Sequence, residues 1–348
     1  MARKLIMGSA FISFLLLLSG CGLFGPKDVS SNGIDPPQLQ TPAANSEKVN
    51  APQAVGQAKQ AEGAAVHKIY VVDADGFVVP WAVEIPKSKG LAKQVLNYMV
   101  KGSEGEKLLP AGFRAVLPAG TKVLGMVIKN GVATVDFSPE FKKYRAEDEQ
   151  KILDAVTWAL TEIDTIKEVN IQINGHPQDV MPINGTPISL LSRENGINRE
   201  LADNVKVGQT MPVTIYFQGQ VSDKESYFVP VTRLVPQQKD KSMAAMKELI
   251  QGPKQGSTLF PSMLPSTNVL SIKQQKDIMV VNFDNKLLSY NQGKANPEAL
   301  EAIVLSLTEN SNAKKVQIMV GGKATAKAGG VDYSKPVSRP QVINSQPY

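Results

Sequence analysis

The 348 residues include one cysteine and two histidines, so the side chains that most often do nucleophilic, redox or transition-metal chemistry are scarce. Cys21 can form neither an internal disulfide nor a cysteine-based zinc site. His67 opens an apolar run, and His176 sits in the turn-like stretch Asn174-Gly175-His176-Pro177. Neither has a second histidine or cysteine nearby, so no transition-metal set can be drawn. Asp73-Ala74-Asp75-Gly76, ending at Glu84, copies the length of an EF-hand loop. Its glycine is fourth rather than sixth, and Phe77, Val79 and Trp81 stand at ligand positions, so a turn between strands is expected. Asp136 is a candidate acid, but Asn282 stands at the matching place further along the chain. Lys142-Lys143-Tyr144-Arg145 and Lys314-Lys315 are short basic clusters of the kind that usually form solvated faces. Gly-x-Ser-x-Gly and phosphate-loop motifs are lacking. The expectation is a chain with no catalytic, cofactor-binding or metal-binding residues.

The lone thiol has a telling position. Arg3 and Lys4 precede an apolar run from Leu5 to Leu18, and the small residues Ser19 and Gly20 lead into Cys21. A charged start, a short apolar core and a small-residue exit describe a secretory signal peptide. The run is short for a membrane span, which needs about 20 apolar residues. Leu18-Ser19-Gly20-Cys21 resembles a bacterial lipobox. In such signals the thiol receives a diacylglyceryl group, and the cysteine, freed by cleavage, becomes an N-palmitoyl, S-diacylglycerol first residue. Buried acyl chains contribute roughly 0.8 kcal/mol per CH₂, which makes a firm anchor. Residues 21–65 are rich in Pro, Ala, Gln, Ser and Asn and lack apolar periodicity, so they read as a disordered, lipidated linker. Its typical reach is roughly 35–40 Å.

From His67 onward the sequence repeats itself at an offset of about 146–150 residues, the signature of a tandem duplication. Ile69-Tyr70 matches Ile215-Tyr216, and Phe77-Val78-Val79-Pro80 matches Tyr227-Phe228-Val229-Pro230. Leu117-Pro118 matches Leu264-Pro265, Val135-Asp136-Phe137 matches Val281-Asn282-Phe283, and Leu160-Thr161 matches Leu307-Thr308. Each copy opens with a strand and continues with a second of period-2 spacing, Phe77, Val79, Trp81, Val83 and Ile85 in the first. Pro80 and Pro230 lack a ladder donor and place that strand at an edge or a bulge. A helix is expected near 89–101 and near 240–251. A hairpin follows, turned by Asn130-Gly131 in copy one and more weakly by Gln275-Lys276-Asp277 in copy two. The second helix carries Ile152, Val156, Ala159, Leu160 and Ile163, and in copy two Leu300, Ile303, Val304 and Leu307. Asn296-Pro297-Glu298 caps the latter. A closing strand ends at Asn174-Gly175 or Gly321-Gly322. The expected fold is α+β: two tandem homologous two-layer domains, each a small mixed sheet with two helices on one face.

Composition is that of an ordinary globular chain, 42% hydrophobic and 20% charged. The formal net charge is +6, two less without Arg3 and Lys4. Such mild, diffuse charge favours solubility and gives no argument for nucleic-acid binding.

The doubled order of motifs resembles the GerMN (Germane) domain family of sporulation and germination lipoproteins. The features that carry the resemblance are the lipobox at Cys21, Gln251-Gly252-Pro253 after the first helix, Leu-Pro before the hairpin, Val135-Asp136-Phe137-Ser138, Leu160-Thr161 and Asn174-Gly175. Copy one departs with Lys101-Gly102-Ser103 in place of Gly-Pro, and copy two departs at the hairpin turn. The expected organisation is a signal over 1–20, a lipidated linker over 21–65, one GerMN domain over 66–197, a linker over 198–211, a second domain over 212–330 and a tail over 331–348. The resemblance implies ring-building-motif-like domains and a non-enzymatic role in sporulation and germination. It places the chain on the extracytoplasmic face of the cell membrane, in the space between mother cell and forespore. Its implied partners are other sporulation envelope-complex proteins, ring-forming oligomers included, with no nucleic acid and no small-molecule substrate. A solute-binding lipoprotein is the alternative, and a wall hydrolase using paired carboxylates ranks last.

Overall fold

The computed structural model describes residues 63–345 apart from 204, 207, 223–224 and 290–293. Cys21, the signal and nearly all of the expected linker lie outside the described residues. In copy one, β1 (Ala64–Val72) and β2 (Val78–Pro86) form an antiparallel ribbon with no slip of register, from Ala64↔Pro86 to Val72↔Val78. The turn between them is held by Asp73, whose carboxylate accepts from the backbone N–H of Asp75 and Phe77 at 3.0 and 2.8 Å. This is the Asx geometry expected of an Asp before a tight turn.

Helix α1 (Leu91–Tyr98) is shorter than the spacing predicts, because Val100 leaves it to bridge Leu117. β3 (Val123–Lys129) and β4 (Val132–Phe137) form the hairpin. Asn130 and Gly131 both have positive φ, 51° and 82°, as a two-residue hairpin turn demands. Helix α2 (Glu149–Thr161) then crosses over to β5 (Glu168–Ile173), which lies parallel to β4. α2 packs against both the β1–β2 ribbon and β5, which is why it is buried well beyond its expected stripe, Trp158 included. The first two strands thus form a ribbon of their own beside the mixed sheet. β6 (Leu191–Ser192) pairs antiparallel with β5, and β7 (Glu200–Leu201) leads into copy two.

Copy two repeats the plan with β8 (Thr210–Ser222), β9 (Glu225–Pro236), α3 (Lys241–Gln251), β10 (Val269–Gln275), β11 (Ile278–Phe283), α4 (Pro297–Glu309) and β12 (Lys315–Val320). The edge strands even share a bulge, at Val123/Gly125 and at Val269/Ser271. The weaker turn is made by Lys276, at φ 57°. Asn296 accepts from Glu298 N–H at 2.9 Å, with Pro297 opening α4.

Residues 331–345, expected as a tail, are part of the fold. β13 (Val337–Ser338) pairs with β12 at Val316↔Val337, as β6 pairs with β5 at Val169↔Leu191. The expected linker likewise contains β7, which lies parallel to β9 at Arg233 and Leu234.

Asp136 and Asn282 occupy one structural role. Asp136 Oδ1 accepts from Gly175 N–H at 2.9 Å, and Asn282 Oδ1 accepts from Gly322 N–H at 3.0 Å. Each ties the end of the closing strand to its neighbour, and an acceptor is all that is needed. Asp136→Asn should therefore change stability by less than about 0.5 kcal/mol, whereas Asp136→Ala costs about 1 kcal/mol. Urea unfolding of the two variants checks this; a large loss for Asn would mean that the charge itself matters.

Candidate functional site at the junction of the repeats

The two ribbons meet where β2 and β9 approach each other. Pro80 and Pro230 pair across their ribbons with Tyr70 and Tyr216. Their carbonyls accept from outside the ribbons, so both prolines turn their backbone polar side toward the seam. In a strand the N–H and C=O of one residue share a side, and proline has no N–H. The seam is thus short of backbone donors.

Two asparagines supply them. Asn198 Nδ2 donates to Val78 O at 2.7 Å and to Pro230 O at 2.8 Å, while its Oδ1 accepts from Val78 N at 2.8 Å. Asn344 Nδ2 donates to Phe228 O at 2.7 Å and to Pro80 O at 2.8 Å, while its Oδ1 accepts from Phe228 N at 2.7 Å. Each side chain grips a strand of its own repeat and reaches to the other repeat. Both residues adopt the left-handed conformation, φ 48° and 55°, which asparagine tolerates best among residues with a side chain. Ahead of Asn198, Gly196 has φ 78°, and a Cβ there would stand 2.7 Å from Thr232 Cγ2. Only glycine lets the chain come this close.

Beside the clasp lies a second doubled set. Tyr70 donates to Glu162 at 2.9 Å, and Tyr216 donates to Glu309 at 3.1 Å. Arg193 pairs with Glu162 at 2.6 Å and with Glu309 at 2.7 Å, so one guanidinium joins the helix ends of both repeats. Arg339 pairs with Glu309 at 2.9 Å, and Lys68 with Glu162 at 2.6 Å. Arg193 also lies over the Trp158 ring at 4.2 Å, and Arg339 over Tyr216 at 5.1 Å. Burial by itself would raise the glutamates, but Arg193 and the other cations outweigh it and hold Glu162 and Glu309 below the usual range. Burial pushes both tyrosines up, so they stay protonated donors.

A third contact is present once. Trp81, Phe113 and Tyr227 cluster across the seam, with ring centroids 5.0–6.3 Å apart. Tyr227 donates to Asp73 at 2.8 Å. Asp73 therefore serves as a turn residue and a cross-repeat acceptor, and burial pushes its carboxyl up. Among the other residues singled out by sequence, His67 is partly buried in β1 and lowered by burial, and His176 is exposed. Among the described residues no group of three or more His, Cys, Asp or Glu could hold a metal ion. Sequence reasoning missed Arg193, Asn198, Arg339 and Asn344. The signal was there: Ser192-Arg193-x-x-x-Ile197-Asn198 recurs as Ser338-Arg339-x-x-x-Ile343-Asn344.

Asn344→Asp tests the clasp, since a carboxylate cannot donate and would face the carbonyls of Pro80 and Phe228. A loss of about 3 kcal/mol or more is expected at pH 7, against about 2 for Asn344→Ala. Equal unfolding midpoints for the two variants would remove the clasp from the account. Asp154 gives a pH test. Its carboxylate accepts from Gln150 at 2.6 Å and from Asn198 N–H at 3.1 Å, yet burial pushes it up to about 6. Because the folded value is the higher one, the folded chain binds the extra proton between about pH 4 and 6, and stability falls as pH rises through that window. Relative to Asp154→Asn, the parent should lose on the order of 2–3 kcal/mol between pH 4 and 7. A pH-independent difference in unfolding free energy would contradict this.

A family model described as "Germane: Sporulation and spore germination" matches residues 68–179 and again 214–326. The spore germination protein GerM of Bacillus subtilis (strain 168) is 39% identical over 358 residues, spanning 98% of this chain and 97% of that protein. The solved tandem GerMN domains of the sporulation protein GerM from Bacillus subtilis superpose with a TM-score of 0.76 at 39% identity, covering 81% of this chain and 99% of that chain. With its doubled ribbon, hairpin and crossover helix, the chain belongs to the Germane family of sporulation and spore germination proteins.

Proposed function

We propose that the chain is a non-enzymatic lipoprotein required for sporulation and spore germination. It is held at Cys21 on the outer face of the membrane and works by protein contact in the envelope assembly between mother cell and forespore. The observation that carries this reading is the inward use of the ionisable groups. Arg193, Arg339, Glu162 and Glu309 are spent on one another, Asp73 on Tyr227 and backbone, and Glu149 on Ile183, Asn184, Thr186 and Tyr144. Groups so satisfied build a platform, whereas a catalytic pair is poised toward open space. The signal before Cys21 and membership of a sporulation family support the anchoring and the setting.

The solute-binding alternative needs a cleft between two lobes. Here the seam between the ribbons is filled by the asparagine clasp and the aromatic cluster, which weighs against it.

Cys21→Ala, expressed in the spore-forming host in place of the parent, should move the protein from the membrane to the soluble fraction. Spore formation or germination should fall to the level of a deletion, with vegetative growth unchanged. Retention in the membrane fraction removes the anchor, and a growth defect without a spore phenotype removes the role.

A further inference from the structure

The duplication supplies an internal comparison at the two edge strands. Among the described residues, β3 and β10 are the terminal strands of their mixed sheets, pairing only with β4 and β11. They share length, bulge and neighbours, so whatever the fold requires there is required twice. Their surfaces differ. Val127 and Ile128 on β3 are 64% and 46% exposed, whereas exposed Leu124 at 48% is matched on β10 by Leu270 at 54%. At the places of Val127 and Ile128, β10 carries Lys273 and Gln274. Copy two shows that this fold accepts polar residues here, so the exposed apolar pair of copy one is not a folding requirement. An apolar strand left at an edge is a template for pairing with another strand, which folded proteins otherwise suppress.

Charge narrows the occupant. Lys122 and Lys129 stand exposed at the two ends of β3, and among the described residues neither makes an ion pair. Lys122 and Lys143 both lie within electrostatic reach of the Glu140 carboxylate and help to lower it. Antiparallel pairing with a second copy would set Lys122 against Lys129 at both ends, and parallel pairing would set like against like. The same lysines attract a strand with acidic ends. The outer N–H and C=O groups of β3 also need hydrogen-bond partners, which an acyl surface cannot give.

We propose that the outer edge of β3 receives an extended segment of a partner protein, apolar at alternate positions and acidic at both ends, which adds a strand to the sheet of copy one. This rests on the assembly role proposed above and gives that role a surface and a partner chemistry. The lysines lie seven residues apart, about 23 Å along a strand, which sets the spacing of the partner's acids.

The test titrates the purified full chain into labelled Glu-Val-Thr-Val-Thr-Val-Thr-Glu and into its lysine-ended counterpart, read by fluorescence anisotropy at low salt. The acidic peptide should bind at least tenfold more tightly. Lys122→Glu with Lys129→Glu should invert the order, and Val127→Ser with Ile128→Gln should weaken binding at least tenfold while leaving the unfolding midpoint near that of the parent. Absence of binding, equal binding of the two peptides, or no effect of the Val127 and Ile128 substitutions would overturn the proposal. So would displacement of the peptide by phosphatidylglycerol vesicles, or a dimer in light scattering that the Val127 and Ile128 substitutions abolish. The apolar-edge variant should also lower spore yield with its membrane location intact. Normal spores would overturn the proposed edge and leave the anchored role, which Cys21→Ala probes separately.

Discussion

A missing hydrogen-bond donor organises this molecule. Two ribbons from duplicated halves approach along strands that each carry proline, and neither proline can donate across the seam. Unsatisfied carbonyls in a dry interface cost about 1–3 kcal/mol each. The chain meets this by sending a segment past the end of each repeat and folding an asparagine amide back into the gap. An amide offers two donors and an acceptor in one plane, which suits a site with two carbonyls and one N–H. The strand closest to the seam, the positive-φ asparagines and the close approach at Gly196 all follow from that need.

The charged set beside the clasp fixes the register of the two halves. A buried ion pair is weak evidence of net stabilisation, because desolvation offsets most of its attraction. Breaking one is costly, and so is any docking that leaves a member unpaired. Arg193 is the pivotal member, since it contacts Glu162 of its own repeat and Glu309 of the other. A slide of one ribbon along the other would strand at least one of these charges. The network thus specifies one arrangement of the halves, whatever it adds to overall stability.

Much of this fold was legible because it rests on periodic apolar patterns. Helix stripes, the Asn130-Gly131 turn and the Asn296 cap announce themselves locally; the edge expected from the prolines holds for β2, whereas β9 is the middle strand of its sheet because β7 pairs with it at Arg233 and Leu234, beyond Pro230. The separation of the first ribbon from the mixed sheet did not, because which strands pair depends on what α2 covers. The junction was harder still. Arg193, Asn198, Arg339 and Asn344 are isolated polar residues in irregular segments, and such segments read as linker and tail. Their recurrence at the repeat spacing was visible, but polar identities a few residues beyond the last strand carry little weight beside runs of valine and isoleucine. Asp136 shows the opposite case: its unlike partner Asn282 hid a shared role, since the fold uses only the acceptor oxygen.

Duplication also separates what holds the structure from what the structure is for. Features present twice, among them the clasping asparagines, the tyrosine–glutamate–arginine sets and the strand-end acceptors, serve a fold that had to be built twice. Features present once need another explanation. The Trp81–Phe113–Tyr227 cluster is explained by the junction, where the seam has a single aromatic side. The apolar edge of β3 has no such explanation, since β10 does the same structural work with Lys273 and Gln274. A residue that the fold tolerates but does not need, exposed to solvent at a hydrogen-bonding edge, is the feature on which the proposed strand addition rests. On the proposal above, the working surface lies on copy one, with copy two as its support.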